Sequence, residues 1–191
     1  MSDMPLMRPV ELVQDFIGKH LKPADITIDA TAGNGHDSCF LARLVGSEGH
    51  VFCIDIQAEA LANTAHRLAA EQLDRRTTLI QGDHARLTQL IPLDTQPRIR
   101  AIMFNLGYLP GGDKRIVTRA DSTRAAIRAA LTLLPETGVM SIVSYRGHPG
   151  GQADHDAVAA TLAERGRRYR CEETPGDGPV AWLIGSGYSA D

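Results

Sequence analysis

Apolar positions along this chain recur in two periods, helical and extended, and the two take turns. Val10, Val13, Ile17 and Leu21 share one face of a helix that Pro9 opens. Ile26-Thr27-Ile28-Asp29-Ala30-Thr31 follows, a short β-branched run that ends on polar residues and predicts a strand. Cys39 to Val45 reads as a helix and His50 to Asp55 as a second buried strand. Leu61, Ala65 and Leu68 form another helical stripe. Thr77 to Ile80 and Ala101 to Phe104 are the third and fourth strands. Ile127, Leu131 and Leu134 repeat at helical spacing, behind a capping box predicted at Thr118-Arg119-Ala120-Asp121. Gly138 to Val143 is a fifth strand, and Asp154 to Arg165 a helix carrying Val158 and Leu162. Arg168 to Glu172 and Val180 to Ile184 close the chain around a Pro175-Gly176-Asp177-Gly178-Pro179 turn.

Strands that alternate with helices predict a parallel sheet covered on both faces. The last two strands are joined by a turn too short for a right-handed crossover, so they pair antiparallel. The expected fold is therefore α/β: a mostly parallel seven-stranded sheet with a C-terminal antiparallel hairpin, the arrangement of the Rossmann-like class I methyltransferase fold. A length of 191 residues suits a single domain, with residues 1–24 as an N-terminal helical segment packed on it.

Composition narrows the classes. No run approaches the roughly 18 to 20 apolar residues of a membrane span. The N-terminus shows no signal-peptide pattern. Cys39, Cys53 and Cys171 are odd in number and widely spaced, which argues against disulfides or structural zinc and suits the cytoplasm. The histidines show no metal-ligand spacing, so no metal is expected. A net charge of −3 excludes a globally basic nucleic-acid binder but not a local patch. Lys114, Arg115, Arg119, Arg124 and Arg128 form one such patch, assigned to RNA contact. A second, Arg165, Arg167, Arg168 and Arg170, reads as a solvated face.

Three loops carry the candidate chemistry, all at the carboxyl edge of the predicted sheet. The first is Asp29-Ala30-Thr31-Ala32-Gly33-Asn34-Gly35-His36-Asp37. Gly33 and Gly35 suit a close backbone approach, and the helix behind them favours an anion. Thr31 and Asp37 break the dinucleotide fingerprint G-x-G-x-x-G. Asp29 would repel a pyrophosphate and suits a ligand bearing an ammonium and a sulphonium, S-adenosyl-L-methionine. A tight turn without ligand explains the loop equally well. Asp55, 20 residues after Gly35 at the end of the second strand, tips the reading towards a ligand, because a carboxylate there accepts ribose hydroxyls. Asp83, in Gly82-Asp83-His84, is placed at an adenine edge.

The second loop is Phe104-Asn105-Leu106-Gly107-Tyr108-Leu109-Pro110-Gly111-Gly112-Asp113-Lys114. It follows the fourth strand and faces the first loop across the switch point. Asn105 supplies an acceptor for an amine and Tyr108 a ring to pack on a substrate. Lys114 lacks P-loop spacing and is followed by Arg115, which rejects a nucleotide triphosphatase. The third loop is Tyr145-Arg146-Gly147-His148-Pro149-Gly150-Gly151. His148 suits a proton acceptor, a phosphate contact or a solvated loop histidine, and is placed with Tyr145 in the wall of the site.

These three segments resemble the signatures of the YtqB/MnmM family of small bacterial class I methyltransferases. The resemblance runs from about Arg8 to the end, with Arg146 where the family often has His. It implies S-adenosyl-L-methionine as methyl donor and the aminomethyl group of 5-aminomethyl-2-thiouridine, at the tRNA wobble position, as acceptor. Asp29, Asn34, Asp37, Asp55, Gln57, Asp83 and His84 would then hold the cofactor, with Gly33, Gly35 and His36 in the same loop. Asn105, Tyr108, Gly111, Gly112, Asp113 and Lys114 would shape the acceptor site, with Arg115, Tyr145 and His148 beside it. Asn105 would orient the amine, and Asp113 or Tyr108 would take its proton. The implied partner is the anticodon loop of tRNA, with a homodimer as a source of further RNA surface. Methylation of rRNA or of a small amine, and a non-catalytic nucleotide-binding module, remain as alternatives.

Overall fold

Seven strands lie in one sheet: β1 (Ile26–Asp29), β2 (His50–Asp55), β3 (Thr77–Gln81), β4 (Ile99–Leu106), β5 (Val139–Tyr145), β6 (Tyr169–Glu173) and β7 (Pro179–Ile184). Their order in this computed structural model is β3-β2-β1-β4-β5-β7-β6. The first five pair parallel, and β7 runs antiparallel to both β5 and β6. The expected α/β sheet with its C-terminal hairpin is what forms. The structure describes residues 8–109, 111, 117–166 and 168–185.

Among the described residues six α-helices cover the sheet. Helices α1 (Pro9–His20), α2 (His36–Val45) and α3 (Ala58–Ala70) lie on one face. Val13, Phe16 and Ile17 of α1 pack there with Leu41 and Val45 of α2 and with Val51, Cys53, Ala101 and Met103 of the strands. The short α4 (Leu87–Leu90), α5 (Ala120–Leu133) and α6 (Gly151–Glu164) lie on the other face. There Ile127, Leu131, Val158 and Leu162 meet Ile28, Ile54, Ile102 and Ile142. Alternate strand residues feed alternate faces, as period-two geometry requires. No helix among the described residues is long and apolar enough to cross a membrane. Cys39, Cys53 and Cys171 are free thiols.

Two expectations change. α3 buries Ala60, Thr64 and Leu68; of the expected stripe Leu68 is buried, Leu61 packs half-buried against the same core, and the place of Ala65 is taken by Thr64. The capping box at Thr118 does not form: the N-cap of α5 is Arg119, which makes no side-chain cap bond. Thr118 Oγ1 instead donates to the buried carboxylate of Asp154 on α6, which also accepts from Thr123 at 3.0 Å. A tertiary acceptor has outcompeted the local cap.

Arg146 also acquires a structural task. Its guanidinium donates to the carbonyls of Thr174, Gly176 and Gly178 at 3.1, 2.7 and 3.2 Å, and pairs with Glu173 at 2.9 Å. It thereby braces the β6–β7 turn against the end of β5. Replacing Arg146 by Ala should lower the unfolding free energy by about 2 kcal/mol, because these charge-assisted bonds are lost together. Urea titration of both proteins measures the difference, and equal midpoints and slopes would refute the brace.

Candidate active site

The site grows out of strand alternation. Val51 and Cys53 on β2, Ala101 and Met103 on β4, and Val139 and Val143 on β5 point to the α1–α2 face. Two residues further on, at the carboxyl edge, the same faces carry Asp55, Asn105 and Tyr145. Asp29 ends β1 on this face too. The strand order reverses direction between β1 and β4, so a crevice opens there. It holds a cavity of about 550 Å³ lined by Gly33, Asn34, His36, Asp37, Asp55, Gln57, Asp83, His84, Asn105, Tyr108, Tyr145 and His148, among others. That volume is in the range of cofactor pockets.

Thr31 ties the two central loops together. Its Oγ1 accepts from the Asn105 backbone N–H at 2.7 Å, across the switch point. The residue that breaks the dinucleotide fingerprint is therefore the clip between donor and acceptor loops. Asp55 is held by two backbone donors, Gly33 N and Gln57 N, each at 2.9 Å. A carboxylate has about four acceptor positions, so two remain for ribose hydroxyls. Asp83 caps the turn His84–Arg86, accepting from Ala85 N at 2.9 Å. Burial lowers the His84 pKa, and its ring stands edge-on to Phe104 at 5.9 Å.

Asp29 is corrected. It does not line the cavity: it is buried, and its oxygens accept from Thr31 N at 3.2 Å and Ser38 Oγ at 2.6 Å. It supports the loop from beneath. Burial pushes its pKa up to about 7, with repulsion from Asp37 adding to the shift. Asp37 is the carboxylate that reaches the cavity wall. It accepts from Gln14 Nε2 at 2.8 Å and from the Asn105 side chain. Burial raises its pKa too, against the pull of those two hydrogen bonds. Among the described residues no Lys or Arg forms an ion pair with Asp29, Asp37 or Asp55. Among the described residues this end of the cavity is acidic, with no Lys or Arg paired to it.

Gly35 is corrected as well. It lies outside the cavity wall, with φ 79°. A Cβ there would come within 2.9 Å of Thr64 Cα, so the glycine lets α3 approach the loop. Thr64 Oγ1 donates to Gly33 O at 3.0 Å, which explains a polar residue on the inward face of α3.

The acceptor loop closes at its base: Tyr108 bridges Val117, and Thr118 N donates to Gly107 O at 3.0 Å. Gly111 is described, with φ 88°. Gly112, Asp113, Lys114 and Arg115 lie outside the described residues. The basic patch thins out: Arg128 pairs with Glu164 at 2.7 Å and Arg124 lies 4.0 Å from Asp121. Arg119 stays at the cavity wall, with Thr118 and Ser122.

Several further residues join the wall. Ile56 is 55% exposed although apolar, directly after Asp55, and that position alone was a signal. Gln14 lies outside the wall but donates to Asp37, and it was visible too, as a polar residue set at i+4 from Val10 and i−3 from Ile17 on an apolar stripe. No group of three or more His, Cys, Asp or Glu among the described residues is placed to hold a metal.

Comparison with known proteins agrees with this geometry. Residues 51–171 match the family described as "Putative rRNA methylase". A chloroplastic tRNA (mnm(5)s(2)U34)-methyltransferase of Arabidopsis thaliana is 36% identical over 148 residues, which are 73% of this chain and 53% of that protein. The chain thus spans about half the length of that relative. A crystal structure of a "putative rRNA-methylase" from Clostridium thermocellum superposes with a TM-score of 0.88 at 34% identity, over 95% of this chain and 99% of the other. A "putative methyltransferase" from Streptococcus mutans in complex with SAH gives a TM-score of 0.81 at 30% identity, over 94% and 98%. With the family match covering more than half of its length, the chain belongs to the rRNA methylase family.

Proposed function

We propose that this protein transfers a methyl group from S-adenosyl-L-methionine to RNA, and that the acceptor is the aminomethyl group of 5-aminomethyl-2-thiouridine at the tRNA wobble position. One observation carries the reading. A single cavity has an acidic end lacking any Lys or Arg ion pair among the described residues, and an acceptor end built by Asn105 and Tyr108. A cationic donor fits the first end and an amine the second. The Streptococcus mutans structure with SAH supports the cofactor, and the name of the Arabidopsis relative supports the acceptor.

S-adenosyl-L-methionine, when bound, supplies an electrophilic methyl group. The chain supplies placement. Asp55 accepts from the ribose hydroxyls, Asp37 faces the ammonium, and Asp83 with Ile56 borders the adenine. The Asn105 amide presents its NH2 to the Asp37 carboxylate, which leaves its carbonyl oxygen to accept from the substrate amine. Tyr108, 42% exposed, packs on the target base. Arg119 meets RNA phosphate at the mouth. The partner is the anticodon loop, with a second copy of the chain widening the RNA surface. Three free thiols suit work in the cytoplasm.

The test is incubation of the protein with labelled cofactor and tRNA carrying 5-aminomethyl-2-thiouridine, followed by nucleoside analysis. Conversion to 5-methylaminomethyl-2-thiouridine is expected. Label in rRNA alone would overturn the tRNA assignment.

A further inference from the structure

Among the described residues, one buried polar atom at the acceptor end has no partner. His148 Nε2 is shut off from solvent and makes no hydrogen bond with them. The other ring nitrogen, Nδ1, lies 3.1 Å from the carbonyl of Pro149. A carbonyl only accepts, so Nδ1 carries the hydrogen and the neutral ring holds its lone pair on Nε2. A buried acceptor left unsatisfied is costly, and such atoms call for an explanation.

Its surroundings supply one. A Cβ on Gly107 would lie 3.8 Å from Nε2 and 3.6 Å from the Tyr145 ring, so the Gly107 backbone passes close to both groups. The Tyr108 ring stands edge-on to the imidazole, with centroids 6.0 Å apart and planes at 88°. His148, Asn105, Gly107, Tyr108 and Tyr145 all line the same cavity. The orphan lone pair therefore sits under the loop that receives the acceptor.

We propose that His148 Nε2 takes the proton from the substrate amine, a role that rests on the methyltransferase reading above. The Tyr108 ring parts from the imidazole as the target base takes its place. The bound primary ammonium gives one proton to Nε2 and becomes a neutral amine. Its lone pair then forms the N–C bond to the methyl carbon; the S–C bond breaks, and that electron pair stays on sulphur. The product leaves as a secondary ammonium, and the imidazolium loses its proton to water. The Nδ1–H bond to Pro149 O holds the ring in the required tautomer throughout.

Two variants test this against 5-aminomethyl-2-thiouridine tRNA: His148→Gln, and His148→Asn, whose amide NH2 can keep the bond to Pro149. Both should bind S-adenosyl-L-methionine within about threefold of the parent by calorimetry, which reports an intact fold. Both should lose about 100-fold or more in kcat, the range of general acid–base catalysis. The parent's kcat should rise with pH through an imidazole ionisation that both variants lack. In the free parent, 15N spectra of labelled histidine should show His148 as the Nδ1–H tautomer. Variants that keep kcat within threefold, or keep the same rising limb, would overturn the proposal while leaving the methyltransferase reading standing. A parent that methylates no tRNA would overturn both.

Discussion

Replacing Asn105 by Ala should reduce kcat for methyl transfer about 100-fold while changing cofactor affinity only a few-fold. The loop should survive the change, because main-chain bonds hold it. The clip to Thr31 Oγ1 comes from the Asn105 main-chain N–H at 2.7 Å, and Ala keeps that donor. The bridge between Tyr108 and Val117 and the bond from Thr118 N to Gly107 O do not involve the side chain. What disappears is the amide. Its oxygen no longer fixes the attacking amine in line with the methyl group, and loss of such placement costs on the order of 100-fold in rate. Its NH2 no longer donates to Asp37, so that among the described residues that carboxylate keeps the bond from Gln14 at 2.8 Å. One lost hydrogen bond of about 1 kcal/mol explains the modest fall in cofactor affinity. Steady-state kinetics at saturating cofactor, with calorimetry on the same variant, separates the two. A variant with parental kcat would remove Asn105 from the acceptor role, and one that binds no cofactor would mean that the loop itself had collapsed.

The split between these two effects shows which parts of the molecule can be read from a linear pattern. β2 was expected at His50–Asp55 and is found there, because a fully buried parallel strand reads as one apolar run closed by an acid. α2 and α6 begin three residues before their apolar periodicity does. The first turn of α2, His36 and Asp37, faces the cavity and is polar for that reason. The first turn of α6 holds Gly151, whose Cβ would meet Tyr145 O at 2.2 Å, and a double glycine reads as a loop. β4 runs on to Leu106, inside what looked like loop, since β5 offers it a ladder partner as far as Ser144. Asp55, Asp37 and Asn105 were legible because strand ends and loop spacing fix their edge of the sheet. Which carboxylate reaches the cavity was not legible, because that depends on Ser38 drawing Asp29 inward. The orphan His148 Nε2 was equally hidden, since it follows from packing by residues about 40 positions away in sequence.

Asp29 leads to the second large effect, on stability. Unfolded, its carboxyl titrates near 3.8; folded, burial and the neighbouring Asp37 push it up to about 7. Between those values the native state holds a proton that the unfolded chain has released. Native stability from this group is therefore greatest below about pH 4 and is lost as pH rises through 7. The displacement corresponds to a loss of at most about 4 kcal/mol. Asp29→Asn is nearly isosteric: its Oδ1 keeps the bond from Thr31 N, and its NH2 can donate to Ser38 Oγ. The variant cannot ionise, so the loss should vanish. Urea unfolding of the cofactor-free proteins at pH 4.5 and pH 8 should show the parent falling relative to Asp29→Asn by several kcal/mol, on the order of the limit above. Other carboxylates cancel in this difference, because both proteins carry them, apart from Asp37 and Asp55, which the substitution relieves of one neighbour. A bound cation beside these acids would favour their ionised forms and so restore stability at high pH. Added S-adenosyl-L-methionine should therefore raise the parent's unfolding midpoint more at pH 8 than at pH 5, with proton release on binding near pH 7. A parent–variant difference that does not change with pH would mean that Asp29 is ionised in the folded protein already, and that the acidic end of the cavity is balanced by a cation without any cofactor.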